Sequence, residues 1–242
     1  MHRALPSLCR MFLLLALMGL ACAQEVTLTA TVVGPDNTKG DKTSTAGNVA
    51  VWLTPTEGTV IPASDQAQTH PVLLQKNKSF QPHILLVQVG SLVDFPNRDP
   101  FFHNVFSLFE GKRFDLGLYE AGSTRKVQFD KPGISYIFCN IHEEMSAVVI
   151  AVNTRYYAIS DRRGQIVIPR VVPGRYILRV WYEGGLPETM NALTREVTIS
   201  ASSSTLGVLR LPAFSAPLGS HKNMYGSDYP PPAPSSSTYE HP

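Results

Sequence analysis

Short segments that alternate apolar and polar residues, separated by turns rich in glycine and proline, constrain the fold of this chain most strongly. Val26–Val33 and Arg175–Tyr182 alternate in this way, and Ser146–Val152 is a short apolar run between turns. A period of two places successive side chains on opposite faces of a strand. No segment keeps a period of 3.6 residues over three turns, so the pattern predicts an all-β fold.

Two hairpins are predicted from the turn residues. In the first, Gly90 begins a turn between Ile84–Val89 and Val93–Phe95; in the second, a Pro-Gly turn joins Arg125–Phe129 to Ile134–Phe138. Further strands are predicted on both sides of these hairpins. They are Val49–Leu53, Tyr156–Ser160, Gln165–Ile168, Glu196–Ile199 and Leu206–Leu211.

Residues 1–23 have the pattern of an export signal. The basic start is followed by the apolar run Met11–Ala21, which has about half the length of a membrane-spanning helix, and then by a small-x-small site. We expect cleavage near Ala23, a mature chain without a membrane span, and a periplasmic or secreted location. Lipidation at Cys22 and an uncleaved, buried N-terminal helix are the weaker alternatives.

Export leaves one cysteine to explain. Of the three cysteines, Cys9 and Cys22 belong to the predicted signal, and Cys139 remains in a compartment where thiols usually pair. A lone thiol there is a metal ligand, a reactive nucleophile or a small buried apolar residue.

Charge and composition exclude several classes of protein. The formal net charge is only +2, so no net electrostatic attraction to nucleic acid is expected. The chain is 43% hydrophobic, which excludes wholesale disorder and suffices for one or two packed cores.

The donors of a metal site surround Cys139. Cys139-x-x-His142-x-x-Met145 lies between two predicted strands, and His103 follows an upstream loop. A thiolate and two imidazoles in a plane, with a weak axial thioether, form a mononuclear blue-copper site. The spacing lets three donors of one short loop converge on an ion, while His103 must arrive from a neighbouring loop.

These residues, with Tyr136, the Pro132-Gly133 turn and His103-Asn104-Val105, resemble the cupredoxin (blue copper) family, and the short loop is closer to amicyanin than to plastocyanin. The resemblance covers roughly residues 75–152 and implies a Greek-key β-sandwich that holds one type 1 copper ion. It implies that His103, Cys139 and His142 are the equatorial ligands of this ion and that Met145 is the axial ligand.

The resemblance also implies roles for neighbouring residues. Asn104 matches the family's asparagine that ties the ligand loops together through hydrogen bonds, and His142 matches the solvent-near histidine through which electrons leave. Glu143 and Glu144 depart from the family, whose short loops are often apolar or contain proline. We expect this acidic pair to favour a basic redox partner such as a cytochrome or a dehydrogenase.

The flanking sequence resembles a carboxypeptidase-regulatory-like, or transthyretin-like, β-sandwich. Val26–Pro55 matches its first half, and Tyr157–Ile168 with Val172–Val180 matches its second half. Neither half has enough strands to close a core, so we expect the cupredoxin unit to be inserted into this sandwich. The predicted division is 24–74 and 153–212 for the two parts of the sandwich, 75–152 for the cupredoxin unit, and 213–242 for a disordered tail rich in proline and serine.

The sequence thus predicts an exported, non-enzymatic protein that carries single electrons on copper. The alternative is a non-redox periplasmic copper-binding or carrier protein, or a cell-envelope module with a vestigial site.

Other kinds of metal site fit the sequence less well. Glu143 occupies the position of the second cysteine of a binuclear copper centre, and the sequence contains no His-x-His pair of the kind that builds a trinuclear copper cluster. A structural zinc site and a cysteine nucleophile with His142 as base fit less well. His83 is the rival ligand, otherwise expected to be a hydrogen-bonded structural residue; the side chains expected to be exposed are His70, Met190, His221 and His241.

Overall fold

The computed structural model describes residues 24–34, 47–59, 70–108, 111–212 and 221–229. The predicted signal, with Cys9 and Cys22, and His241 lie outside these residues. Within these ranges, sixteen strands and one short helix confirm the all-β class. They are β1 (Val26–Val33), β2 (Ala50–Pro55), β3 (Leu74–Gln75), β4 (Phe80–Gln81), β5 (Ile84–Gln88), β6 (Ser91–Pro96), β7 (His103–Ser107), β8 (Phe114–Tyr119), β9 (Thr124–Phe129), β10 (Gly133–Cys139), β11 (Ser146–Val152), β12 (Tyr157–Ile159), β13 (Gln165–Val171), β14 (Gly174–Trp181), α1 (Pro187–Leu193), β15 (Arg195–Ile199) and β16 (Thr205–Arg210).

One sandwich combines strands from before and after the middle of the chain. Its four-stranded sheet has the order β12-β2-β14-β15, and its three-stranded sheet has the order β13-β1-β16. Tyr176 of β14 pairs with Pro55 of β2, and Trp181 pairs with Ala50. Alternate residues of β1 are buried because the strand presents one face to the core. Leu28, Leu53, Ile166, Tyr176 and Leu178 contribute to that core.

The strands between these parts form a second unit. Its five-stranded sheet has the order β5-β11-β10-β7-β8, and β6 pairs with β9. Apolar side chains from both sets of strands share one core, which also contains Cys139 and Met145. Two of the predicted ligands are therefore embedded in the core of the second unit.

Both predicted hairpins are wrong, although their strands are present. β5 pairs with β11 while β6 pairs with β9, and β10 pairs with β7 and β11. The turn after Val89 therefore leads the chain from one sheet to another. The physical reason lies in β5, which buries Val87 in the core of the second unit and Ile84 and Leu86 on its other face. A strand buried on both faces fits beside the equally apolar β11.

A third apolar cluster joins the two units. Trp181 and Ala50, from the four-stranded sheet, lie in one cluster with Ile84, Val148 and Ile150 of the five-stranded sheet. Trp181 is only 3% exposed. The two sheets thus pack through side chains on the faces that point away from their own cores.

Two further features were not predicted. The chain forms the short helix α1, which begins with Pro187 at a position where proline is tolerated. Residues 221–229, predicted to belong to a disordered tail, pack against β10, because aromatic rings and hydrogen bonds attach them there. Within the described part of the chain, no helix has the length and apolar character needed to cross a membrane.

Candidate metal centre

Three of the predicted ligands meet in the core of the second unit. The Cys139 Sγ atom lies 3.6 Å from Nδ1 of His103 and 3.5 Å from Nδ1 of His142. The ligand atoms of His103, Cys139 and His142 all lie within 4.8 Å of one another. These three residues are therefore close enough to bind one metal ion together. Cys139 and His103 are fully buried.

Strand pairing brings the two ligand segments together. Cys139, at the end of β10, pairs with Val105 of β7, two residues after His103. The amide of Asn140 donates to the Asn104 carbonyl at 2.8 Å. His103 and Cys139 are thereby fixed on adjacent strands of one sheet.

The loop that carries His142 is closed by two backbone hydrogen bonds. The Met145 amide donates to the His142 carbonyl, and the Cys139 amide donates to the Met145 carbonyl, both at 3.2 Å. These bonds fold the loop back on itself, and the Met145 side chain is fully buried in the same core cluster as Cys139. The turn therefore orients His142 toward the cysteine sulfur.

A buried carboxylate, which sequence reasoning missed, holds His103. Asp99 Oδ2 lies 2.9 Å from His103 Nε2, and the same carboxylate accepts hydrogen bonds from the amides of Asn77 and Lys78. Because the carboxylate can only accept, His103 donates from Nε2, and its Nδ1 lone pair faces Cys139. The available signal was an acidic residue four positions before the histidine, in the loop that precedes it.

Burial favours the neutral form of both imidazoles. It lowers the pKa of His103, against the opposing effect of Asp99, and it lowers the pKa of His142 to about 4. Burial alone would raise the pKa of Asp99, but hydrogen bonds from Lys78, His103 and Asn77 outweigh it and lower that pKa. A neutral imidazole is the form that binds a metal.

Burial also raises the pKa of the Cys139 thiol. Hydrogen bonds from the backbone of Ile141, Asn104 and His142 act in the opposite direction. Their effect favours the anionic form of the sulfur. The centre thus contains a thiol shielded from water, with nearby backbone amides that partly offset the effect of burial.

Phe101 covers the two histidines. Its ring centroid lies 5.3 Å from that of His103 and 5.5 Å from that of His142, and the two imidazole centroids are 5.0 Å apart. The Lys78 ammonium lies 5.7 Å from the Phe101 ring centroid. Phe101 therefore packs both ligand rings in place.

Asn104 contributes to the site mainly through its backbone. Its carbonyl accepts the hydrogen bond from Asn140, which joins the two ligand segments, whereas its side chain donates to Asp115 Oδ1 at 2.6 Å. Asp115 belongs to β8, so the Asn104 side chain ties β7 to its other neighbour in the sheet.

The donor spacing fits one transition-metal ion. An ion bonded to sulfur at about 2.3 Å and to nitrogen at about 2.0 Å, with trigonal to tetrahedral angles, holds those donors about 3.5 to 3.7 Å apart. The observed separations of 3.6 and 3.5 Å lie in this range. One soft thiolate and two imidazoles form the donor set that copper accepts.

The remaining candidates lie elsewhere. His83 contacts Glu183 and the Ser146 carbonyl and is not part of the donor cluster. His70 is exposed, as expected. Met190 is packed against the core of the first sandwich. His221 is half-buried against Phe138, because residues 221–229 fold onto β10.

Comparisons with known proteins match parts of the chain. The family model described as Polysaccharide lyase family 4, domain II matches residues 145–206. No curated protein matches the chain.

Parts of several solved structures resemble part of this fold. A copper-containing nitrite reductase from Thermus scotoductus is 21% identical, with a TM-score of 0.35 over 40% of this chain and 25% of its own. A purple cupredoxin from Nitrosopumilus maritimus is 20% identical, with a TM-score of 0.31 over 34% of this chain and 99% of its own. A mutant of amicyanin in its oxidized state is 20% identical, with a TM-score of 0.33 over 36% of this chain and 87% of its own. The chain thus spans a quarter of the reductase and resembles these proteins over a minority of its length.

Proposed function

We propose that this protein is an exported type 1 copper protein that carries single electrons between redox partners and is not an enzyme. The observation that carries the proposal is the convergence of His103 Nδ1 and His142 Nδ1 on the Cys139 sulfur at 3.6 and 3.5 Å. Met145 is the proposed axial ligand.

The surrounding residues are suited to hold such a site rigid. Asp99 fixes the ring of His103, Phe101 packs both imidazoles, and backbone amides stabilise the thiolate. Copper bound there would exchange one electron between Cu(I) and Cu(II). A ligand set that does not move on that exchange favours rapid transfer, and His142, which is half-buried, is the proposed exit to the partner.

Burial favours an electron carrier over a copper carrier. A protein that hands copper over needs accessible soft ligands, whereas the Cys139 and Met145 side chains are both fully buried. The alternative of a non-redox copper-binding or carrier protein is therefore the second candidate.

The visible spectrum of the purified protein with Cu(II) tests the proposal. We expect an intense thiolate-to-copper band that Cys139→Ser and His103→Ala abolish. His83→Ala is the matched control, since this histidine lies outside the cluster, and it should keep the band. A colourless wild-type protein that binds no copper would remove the proposal. Rapid loss of Cu(I) to a competing chelator would favour the copper carrier.

The export and domain predictions remain part of the proposal. We propose a periplasmic or secreted protein cleaved near Ala23, and the mass of the purified mature chain tests both this site and the lipid anchor at Cys22. Pairing of β2 with β12 and β14 supports the insertion of the cupredoxin unit between the two parts of a sandwich. The carboxypeptidase-regulatory-like assignment of that sandwich stays a prediction, since the matching family model is a different one.

A further inference from the structure

Residues 221–229 form a compact segment that rests on the ligand strand β10. Inside the segment, Asn223 Oδ1 accepts hydrogen bonds from the amides of Tyr225 and Ser227, each at 3.0 Å, and the Asn223 amide donates to the Ser227 carbonyl at 2.9 Å. The segment therefore closes on itself through one asparagine side chain and presents a defined surface to the rest of the molecule.

Three contacts attach this segment to the metal centre's own strand and loop. The Met224 amide donates to Asn140 Oδ1 at 2.9 Å. The ring centroids of His221 and Phe138 are 4.3 Å apart, with an interplanar angle of 31°. The Tyr229 hydroxyl lies 2.6 Å from the carbonyl oxygen of Cys139.

The direction of the last hydrogen bond is fixed by chemistry. A carbonyl oxygen can only accept, so the single Tyr229 hydroxyl proton points at Cys139. His221 Nδ1 lies 3.3 Å from the same hydroxyl and 3.0 Å from the Lys222 carbonyl, and it supplies its own proton to these acceptors. The Tyr229 hydroxyl is thus a donor to the cysteine that provides the thiolate.

We propose that Tyr229 is a positioning residue of the copper centre, one that holds the backbone of Cys139 and polarises its peptide group from a segment ninety residues away. This inference rests on the proposed function. The positive end of the hydroxyl dipole points at the peptide of the thiolate ligand. Such a dipole disfavours the more positive state of a nearby ion and so raises the reduction potential of the site.

Tyr229→Phe tests the inference in the full-length, copper-loaded protein. The variant keeps the ring and removes only the donor. Tyr225→Phe is a matched control from the same segment, since Tyr225 is 80% exposed. We expect Tyr229→Phe to bind copper and remain coloured, but to lower the Cu(I):Cu(II) ratio at a fixed potential about threefold. That change is a midpoint shift of about 28 mV at 59 mV per tenfold for one electron. Tyr225→Phe should match the wild type.

A second measurement needs no copper. In the metal-free protein, the Tyr229→Phe exchange should shift the amide resonance of Asn140, whose nitrogen belongs to the peptide that Tyr229 contacts. An unchanged midpoint in a blue Tyr229→Phe protein would overturn the inference while leaving the proposed function intact. A wild-type protein without a blue band would overturn both. Equal effects of Tyr229→Phe and Tyr225→Phe would also overturn the inference, because they would show a general effect of the segment.

Discussion

The carboxylate of Asp99 sets the protonation pattern of the candidate ligand His103. It is 4% exposed, and it accepts hydrogen bonds from the imidazole and from the amides of Asn77 and Lys78. A carboxylate behind a metal-binding histidine orients the ring and increases its basicity. This one is itself held by backbone donors, so the histidine's position depends on the loop that precedes β4.

Replacing Asp99 tests this arrangement at the scale of one residue. In Asp99→Asn, we expect copper affinity to fall about 10- to 100-fold, because the ring of His103 is no longer oriented by a charged acceptor. Competition with a chelator of known affinity measures the change. Asp130→Asn is the control: this exposed carboxylate binds Lys112 at 2.9 Å and lies before β10, at the opposite end of that strand from Cys139, so its loss should leave the affinity unchanged. Equal affinities of Asp99→Asn and the wild type would contradict the assigned role.

Among the secondary-structure elements, β5 and β14 are joined by a charged contact beside their shared apolar cluster. His83, just before β5, places Nε2 2.8 Å from Glu183 and Nδ1 3.1 Å from the Ser146 carbonyl. Both partners are acceptors, so the contact is complete only when the imidazole carries two protons. The hydrogen bond to Glu183 raises the pKa of His83, and the same bond lowers the pKa of Glu183.

The sign of the pH dependence follows from these two shifts. His83 stabilises the fold fully below its unfolded value of 6.5, and this contribution is lost as the pH rises through the raised pKa. Glu183 stabilises it above its unfolded value of 4.5, and that contribution is lost as the pH falls through the lowered pKa. The ion pair between His83 and Glu183 therefore stabilises the fold most between pH 4.5 and pH 6.5.

Glu183→Gln should therefore destabilise the protein most near pH 5.5 and least above pH 8. We expect at most about 1 kcal/mol, because roughly a third of each side chain is exposed to solvent. Urea unfolding at the two pH values measures the difference. Glu188→Gln, in the first turn of α1, is the control and should not reproduce this dependence on pH. A Glu183→Gln effect independent of pH would contradict the proposed ion pair.

The strands show how much of the fold can be predicted from the sequence alone. The bounds of β11 coincide with the predicted Ser146–Val152, because a short apolar run between turns has few other folds available. The hairpin at Gly90 was wrong because turn residues specify a local reversal but not which sheet the next strand joins. Strand partners at long range depend on burial of both faces, which a period of two does not reveal.

The candidate site was predictable to the same extent. Cys139, His142 and Met145 share one loop, so their spacing alone indicates convergence, and His103 completes a recognisable donor set. Asp99 was missed because a loop carboxylate is ordinarily exposed to solvent. Tyr229 was missed because its segment has a composition typical of disorder, and only contacts with a distant strand order it.

For the whole molecule, Trp181 is the largest buried side chain of the cluster that links the two units. It is 3% exposed and lies in the cluster shared by the four-stranded and five-stranded sheets.

Trp181→Ala should lower the free energy of unfolding by about 3 to 5 kcal/mol and should turn a single unfolding transition into two, one for each unit. Urea titrations followed by circular dichroism and by the copper band separate the transitions. Val167→Ala, at a position that is 54% exposed, should change stability by less than about 0.5 kcal/mol. One coincident transition in Trp181→Ala would show that other contacts couple the units.

The proposed association with a redox partner also belongs to the scale of the whole molecule. Glu143 and Glu144 are exposed beside His142 and would attract a basic partner. Glu143→Lys with Glu144→Lys should slow electron transfer to a basic cytochrome at low salt, and added salt should reduce the difference from wild type. Stopped-flow absorbance at several salt concentrations measures this effect. Reversal of Glu57, which is also exposed, is the control. Identical rates at low salt would exclude docking through this acidic pair.

The pairing of β1 and β2 with much later strands has a consequence for how the protein is made. The Val49 amide donates to the Ser160 side chain 111 residues away, and Thr31 reaches Gln165 across 134 residues. When the ribosome has produced only the first two strands, none of the strands that pair with them exists. Their unpaired edges and apolar faces remain uncovered until the intervening unit and the strands after it have been synthesised, a state that favours aggregation. During synthesis, β1 and β2 therefore stay unpaired until their later partner strands have been made. A chaperone would act during this interval.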